Sequence, residues 1–476
     1  MKIKLLLLFL LTSCSVGPNY IKPELIIPAS YKNAQGEWKI AEPKESIDRK
    51  NWWAIFNDCL LSELEDRADK ANQNIAVAEA QYREALAIIK ETRANFFPVF
   101  SVVASETKSR TSLSATQATS NITPKALISK NTQITLQGSW EPDLWGTIRR
   151  QLESDEAAAQ ASFANLAVVK LSVQASLAQY YFQLRALDNV QFLLDEMVSL
   201  YEKFLAKIKS QYMAGTSSRL TVLQAESQLE LARIQSADNK VNRSQYEHAI
   251  AALIGEPPAH FSIPPVQTSL VVPLIPIEIP SMLLERRPDI ANAERLMAEQ
   301  NALIGVSTAA YFPTLMLTGG RGYSTPSFRH LFSVPSLVWS LGVQLTETLF
   351  DAGARSAKIE AASESYQAAV ATYRQTVLSA FQEVENYLVK SRIYEDESKM
   401  YHKAVRISEN EYKYYLNGYN AGISSSLDVL NALFSFYTER KNEITLKSQQ
   451  MVTAVGLIKA LGGNWLDPQL GTVEQN

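Results

Sequence analysis

The stretch Leu337-Val338-Trp339-Ser340-Leu341-Gly342-Val343-Gln344-Leu345-Thr346 alternates two kinds of side chain. In an extended chain Leu337, Trp339, Leu341, Val343 and Leu345 point one way, and Ser340, Gly342, Gln344 and Thr346 the other. Gln133 to Trp140 behaves alike: Ile134, Leu136, Gly138 and Trp140 oppose Gln133, Thr135, Gln137 and Ser139. Such segments, apolar on one face and polar on the other, suit a membrane barrel, although one sandwich strand alone would read the same. Pro98 to Ser109 and Pro313 to Tyr323 are less regular strand candidates. Four strands do not close, because the smallest membrane barrels have about eight. An open sheet in lipid would leave its edge groups unpaired, so several copies must pool their strands, and three copies give twelve.

Long helices flank the strands. In the first half a seven-residue apolar period runs Ala159, Leu166, Val173, Tyr180, Leu187, Leu194, Tyr201 and Ile208. In the second it runs Tyr366, Tyr373, Ala380, Tyr387, Tyr394, Tyr401 and Tyr415, with Val370, Val377, Val384 and Val405 four residues on. A sustained heptad imposes a left-handed supercoil. One helix filling the gap between Gly146 and Gly215 would reach roughly 100 Å, longer than a compact domain of this size. The tyrosines read as packing residues, rings in the seam and hydroxyls toward its wet edge.

The chain is written twice. Asn74-Ile75-Ala76, Glu79 and Phe96-Phe97-Pro98 match Asp289-Ile290-Ala291, Glu294 and Tyr311-Phe312-Pro313 at one offset (312 − 97 = 215). Ala214-Gly215-Thr216-Ser217-Ser218 and Ala421-Gly422-Ile423-Ser424-Ser425 match at another (422 − 215 = 207). Each half reads helix, two strands, long helix, tight turn, helix. The expected organisation is a first repeat over 61–256, a proline-rich linker over 257–284, a second repeat over 285–463 and a tail over 464–476.

The N-terminus reads as an export signal over residues 1–13. Lys2 and Lys4 precede an apolar run, Leu5 to Leu11, too short to span a membrane. Leu11-Thr12-Ser13-Cys14 resembles a lipoprotein cleavage site, making Cys14 the lipidated first residue of an extended segment over 14–60. Cys59 reads as a packed free thiol. No later run of 18 apolar residues occurs, so a membrane crossing must use β-strands. The formal net charge of -3, without a basic block, gives nucleic-acid binding no electrostatic support. His248, His260, His330 and His402 lie far apart without zinc spacing, and no phosphate-binding glycine loop is present. Glu141 and Asp143 stand near each other, but no nucleophile or cofactor loop accompanies them, and an enzyme is not expected. Pro288 and Asp289 read as a helix start.

Taken together, several stretches are similar to the TolC-like outer membrane factor family, in its lipoprotein (NodT-like) branch. They are Cys14-Ser15-Val16-Gly17-Pro18-Asn19-Tyr20, Trp52-Trp53, Ser139 to Gly146, Leu253 to Pro258, Arg287-Pro288-Asp289-Ile290 and Leu349-Phe350-Asp351-Ala352-Gly353. The resemblance implies a mixed α/β membrane protein. Four strands per chain would enter a trimeric twelve-stranded outer-membrane barrel, and coiled-coil helices would form a periplasmic α-barrel. It implies a homotrimer in outer-membrane lipid that docks a periplasmic adaptor and an inner-membrane pump, with no cofactor beyond the lipid on Cys14.

By the same resemblance, Ala214, Gly215, Thr216 and Ala421, Gly422, Ile423 lie at the adaptor-docking tips. Leu427, Asp428 and Asn431 would project into a closed periplasmic aperture, where three copies of Asp428 would favour cations. The expected function is passive conduction of drugs, toxic compounds or metal ions in tripartite efflux. A protein or peptide secretion outlet and a lipid-anchored coiled-coil stalk are the alternatives, and a stalk would not need the paired strands.

Overall fold

The computed structural model describes residues 15–24, 31–32, 51–110, 128–273, 275 and 286–463. The signal segment, Cys14 and the tail over 464–476 lie outside the described residues.

Among the described residues eleven main elements follow one another: α1 (Cys59–Ala71), α2 (Gln73–Ala94), β1 (Val99–Arg110), β2 (Ile128–Trp140), α3 (Thr147–Met213), α4 (Arg219–Leu253), α5 (Pro288–Ala309), β3 (Thr314–Thr325), β4 (Leu337–Thr346), α6 (Ala354–Asn420) and α7 (Ser426–Ala460). The written repeat is a structural one. α2 and α5 each have 22 residues, α3 and α6 each 67, and α4 and α7 each 35. Contacts divide the chain differently. One unit holds the sheet and takes 1–23, 83–161 and 294–372, while the other takes 24–82, 162–293 and 373–476. Each unit therefore draws on both repeats.

Local chemistry starts the elements. Asp58 caps α1, its carboxylate accepting the Leu61 N–H at 3.0 Å. Asn72 breaks α1 from α2 and caps the latter by accepting the Asn74 and Ile75 N–H groups. Pro288 opens α5, and Asp289 lies in its first turn as expected, clamped by Arg287 at 2.6 Å. Asp143, suspected of nothing catalytic, accepts the Ile148 and Arg149 N–H groups and so starts α3.

The four strands form one antiparallel sheet in the order β1-β2-β3-β4. Phe100 faces Gly138, Val102 faces Leu136, Trp140 faces Leu317 and Arg321 faces Trp339. The alternating residues read from sequence thus share faces across strands. β2 begins at Ile128, five residues before the expected Gln133. Its extra residues pair with Glu106 to Arg110, and both segments are mostly polar, so no alternation marks them.

Many of the heptad positions are buried in the core. Ala159 and Val173 of α3 are buried, and further along Leu194, Tyr201 and Ile208 pack with Val222, Leu229, Leu430 and Tyr437 of α4 and α7. Tyr201 departs from the expectation: its hydroxyl is buried without a hydrogen-bond partner, and burial pushes its pKa up. The ring fills the seam too deeply for the hydroxyl to reach water. Cys59 also departs from it, being exposed at the start of α1. The buried face of that helix is set by Leu61, Leu64, Glu65 and Ala68 instead.

The linker is pinned. Asn189 pairs with both backbone groups of Thr268, at 2.8 and 3.0 Å. Asp188, fully buried, lies between Arg185 at 3.0 Å and Arg243 at 2.6 Å. Arg185 also donates to the Pro264 carbonyl, so one ionic group fastens the extended chain to α3 and α4.

Candidate functional site

Both helical hairpins reverse through the same turn. After α3, the Gly215 N–H donates to the Tyr212 carbonyl at 3.0 Å and the Thr216 N–H to the Gln211 carbonyl at 2.9 Å. After α6, the Gly422 N–H donates to Tyr419 at 3.1 Å and the Ile423 N–H to Gly418 at 2.8 Å. These bonds satisfy helix carbonyls that would otherwise lack donors, and they require a left-handed residue. Gly215 at φ 75 and Gly422 at φ 77 supply it.

All six expected docking residues are exposed: Ala214, Gly215 and Thr216 on one tip, Ala421, Gly422 and Ile423 on the other. Ile423 is 84% exposed, and Met213 and Leu220 add apolar surface to the first tip. A hydrogen bond from the Tyr419 hydroxyl to Gln211 Oε1 at 3.0 Å ties the tips together, with the Lys207 ammonium 4.4 Å from the Tyr419 ring. Nothing local in the sequence marks that long-range pair.

The three expected aperture residues occupy the first turns of α7. Leu430 and Leu433 bury the opposite side of the helix in the core. Leu427 and Asp428 are half-buried and Asn431 is exposed. Phe434, which sequence reasoning missed, is exposed one further helical step beyond Leu427 and Asn431. Helical spacing alone would have found it.

Asp428 has a structural task. Its Oδ2 accepts the Ser425 N–H at 3.0 Å and the Ser425 hydroxyl at 2.7 Å, while the Ser425 Oγ accepts the Asp428 N–H at 3.1 Å. This reciprocal box caps α7. The Ser425 donors hold the Asp428 carboxyl below its usual range, so it stays ionised at neutral pH. At the matching place in the first repeat, Ser218 caps α4 by accepting the Thr221 N–H, without a carboxylate. Only the second tip therefore carries a fixed negative charge at this position.

Residues 64–256 and 279–463 match the family described as Outer membrane efflux protein. The chain is 28% identical over 469 residues to a probable efflux pump outer membrane protein, TtgC, of Pseudomonas putida, covering 98% of this chain and 96% of that one. It is 25% identical over 459 residues to the cation efflux system protein CusC of Escherichia coli, covering 96% of each. Its fold superposes on the outer membrane channel CmeC of Campylobacter jejuni with a TM-score of 0.87, at 25% identity and 96% coverage of each chain.

Proposed function

This chain belongs to the outer membrane efflux protein family, and we propose that three copies of it close into a passive duct fed by a periplasmic adaptor and an inner-membrane pump. It is an outer-membrane channel component of an efflux system, and its family is one of channels.

The observation that carries the trimer is the sheet. Phe100, Val102, Leu136, Leu341, Val343 and Leu345 stand exposed on one face, and β1 and β4 are its edges. Water would disfavour that face, and lipid accepts it only when the edges are paired. Twelve strands from three chains meet both conditions. The helical unit supports the same reading. On α6, Ile393, Met400, Ile407 and Tyr414 form an exposed seven-residue seam; on α4, Leu220, Leu223, Leu231, Ile234 and Val241 form another. Two unlike seams on one chain suit head-to-tail contacts that close into a ring.

In that ring the apolar tips, with Ile423 and Met213 exposed, offer the adaptor its docking surface. Leu427, Asp428, Asn431 and Phe434 recur three times around the axis and narrow the periplasmic end. The leucines resist wetting, and the ionised Asp428 carboxylates favour cations. We read the cargo as small molecules or ions; of two relatives, one is named a probable efflux pump outer membrane protein and the other a cation efflux system protein. A lipid on Cys14 anchors the chain. In support, the Val16 N–H donates to the Trp145 carbonyl at 3.2 Å, which holds the residues after Cys14 at the foot of β2.

Native mass spectrometry in mild detergent tests the reading. Three chains of 53.0 kDa, each less its signal segment and plus lipid, are expected. Ile423→Glu should release a bound adaptor and leave the trimer intact. A stable monomer in the membrane, or a Cys14 found unmodified in the mature protein, would contradict the assembly and the anchor respectively.

A further inference from the structure

Every charged side chain of the four strands lies on the apolar face of the sheet. The register fixes the faces. Phe100 stands opposite Gly138 and Val102 opposite Leu136, so Glu106, Lys108 and Arg110 alternate onto their face, and Lys130, opposite Lys108, joins them. Arg321 lies between Leu136 and Trp339 in one of the apolar rows, and β4 has no charged residue. The polar face, with Ser105, Thr107, Gln133, Thr135, Gln137 and Gln344, carries no charge on any strand. In a duct the polar face meets water and the apolar face meets lipid, so hydration of the lumen does not account for where the charges stand.

The charges also gather toward one end. Helices α2, α3, α5 and α6 all join the sheet at the opposite end, by Val99, Trp140, Thr314 and Thr346. From there the apolar positions of β4 run from Leu345 to Leu337 (345 − 337 = 8), about 27 Å along the strand and about 20 Å across the membrane at the usual tilt. The last apolar row is Ala104, Ile134, Tyr323 and Leu337. Lys108 and Lys130 stand two rows beyond it and Arg110 three, all exposed. Arg321 stands one row inside it, close enough for its long side chain to reach the border. Phe332 packs edge-on against Tyr323 at 5.5 Å yet stays 71% exposed, and Trp339 is 72% exposed. Aromatic rings of this kind mark the border between hydrocarbon and headgroups.

We propose that this end of the sheet binds the phosphate groups of an outer-leaflet lipid through Lys108, Arg110, Lys130 and Arg321. The inference rests on the duct reading above, which sets this face in lipid and this end toward the exterior. Four cations against one carboxylate leave a net charge of +3 per chain (4 − 1 = 3). Of the four, Lys130 is the one with an ion pair among the described residues, to Glu106 at 3.1 Å. A phosphate monoester carries nearly two negative charges and accepts several N–H donors at once, which suits a lysine pair with one arginine beyond it and one below. A zwitterionic headgroup offers the patch no net charge. The arginine in the apolar row is costly in hydrocarbon alone and is accommodated when a phosphate at the border takes its guanidinium.

Native mass spectrometry of the full-length protein in mild detergent, titrated with diphosphorylated lipid A or with phosphatidylethanolamine, tests the site. The trimer should bind lipid A roughly tenfold more tightly or better, because each cation near an anionic lipid surface contributes about fivefold. Lys108→Gln with Arg110→Gln and Lys130→Gln should lower lipid A affinity by roughly tenfold or more, with the trimer intact and phosphatidylethanolamine binding unchanged. Arg321→Met, which suits an apolar row, should lower it about fivefold alone. Removing three exposed cations of the helices instead, by Lys203→Gln, Lys240→Gln and Lys403→Gln, should change it by less than about twofold, since they lie outside the patch. A trimer that binds both lipids equally, or that loses lipid A as much by the helix substitutions as by the strand substitutions, overturns the site. A protein that is not trimeric refutes the duct, and the site with it.

Discussion

Replacing the tip glycines by alanine isolates one physical term. A Cβ added at Gly215 or Gly422 meets nothing within 4 Å, so Gly215→Ala and Gly422→Ala create no clash. What remains is the left-handed backbone, at φ 75 and φ 77. Alanine there costs about 1–2 kcal/mol, offset by about 0.4–1 kcal/mol because the unfolded chain loses freedom. The net cost, about 1 kcal/mol per tip, raises the opened population of the turn roughly fivefold. The reporters are the amides of Gly422, Ile423 and Thr216, whose bonds of 2.8 to 3.1 Å close the turns. Hydrogen exchange read by fragmentation mass spectrometry should quicken about fivefold at the altered tip in each alanine variant, and less with asparagine, which tolerates the left-handed region. Amides near Leu177 and Leu184, fully buried in α3, should not change. Equal exchange in alanine and wild-type tips would refute the conformational argument. So would asparagine behaving like alanine.

Four other outcomes are expected. Glu65 is buried with neither carboxylate oxygen bonded, and burial, with Asp69 and Asp66 nearby, raises its pKa well above the ordinary value. The folded state holds a proton that the unfolded chain releases, so stability falls as pH rises from the unfolded pKa through the folded one. Glu65→Gln should remove that slope in melting curves, and an unchanged slope would place its source elsewhere. Asp188→Ala takes the carboxylate from buried Arg185, while Arg243 keeps Glu247, and should cost about 3–5 kcal/mol in denaturant titration. Leu427→Ala should raise resting conductance. Asp428→Asn should lower cation preference while its amide oxygen still accepts the Ser425 N–H, whereas Asp428→Ala loses that half of the box as well and keeps only the Ser425 Oγ cap, which thermal melts and reversal potentials read separately.

The sequence was most informative where a period ran long or a motif recurred. The 67-residue α3 fills the gap between Gly146 and Gly215, because nothing between them stops a helix. Both turns were legible from glycine followed by serine caps, since those residue types answer the helix ends directly. The first residues of β2 were not, because Ile128 to Thr132 have no apolar alternation and are ordered by pairing with β1. The structural task of Asp428 had a signal in Ser425, three residues earlier, which is the spacing of a capping box. The Tyr419–Gln211 tie and the buried place of Tyr201 had none, since both depend on which helices meet. The sheet pairing itself came only from the fold.

Single-channel recording of the purified protein in planar bilayers tests the central claim most directly. The trimer should conduct in brief, infrequent openings, and Leu427→Ala should lengthen or multiply them without dissociating it. An intact trimer that passes no current as wild type or as Leu427→Ala, or a monomer that conducts, would contradict the account.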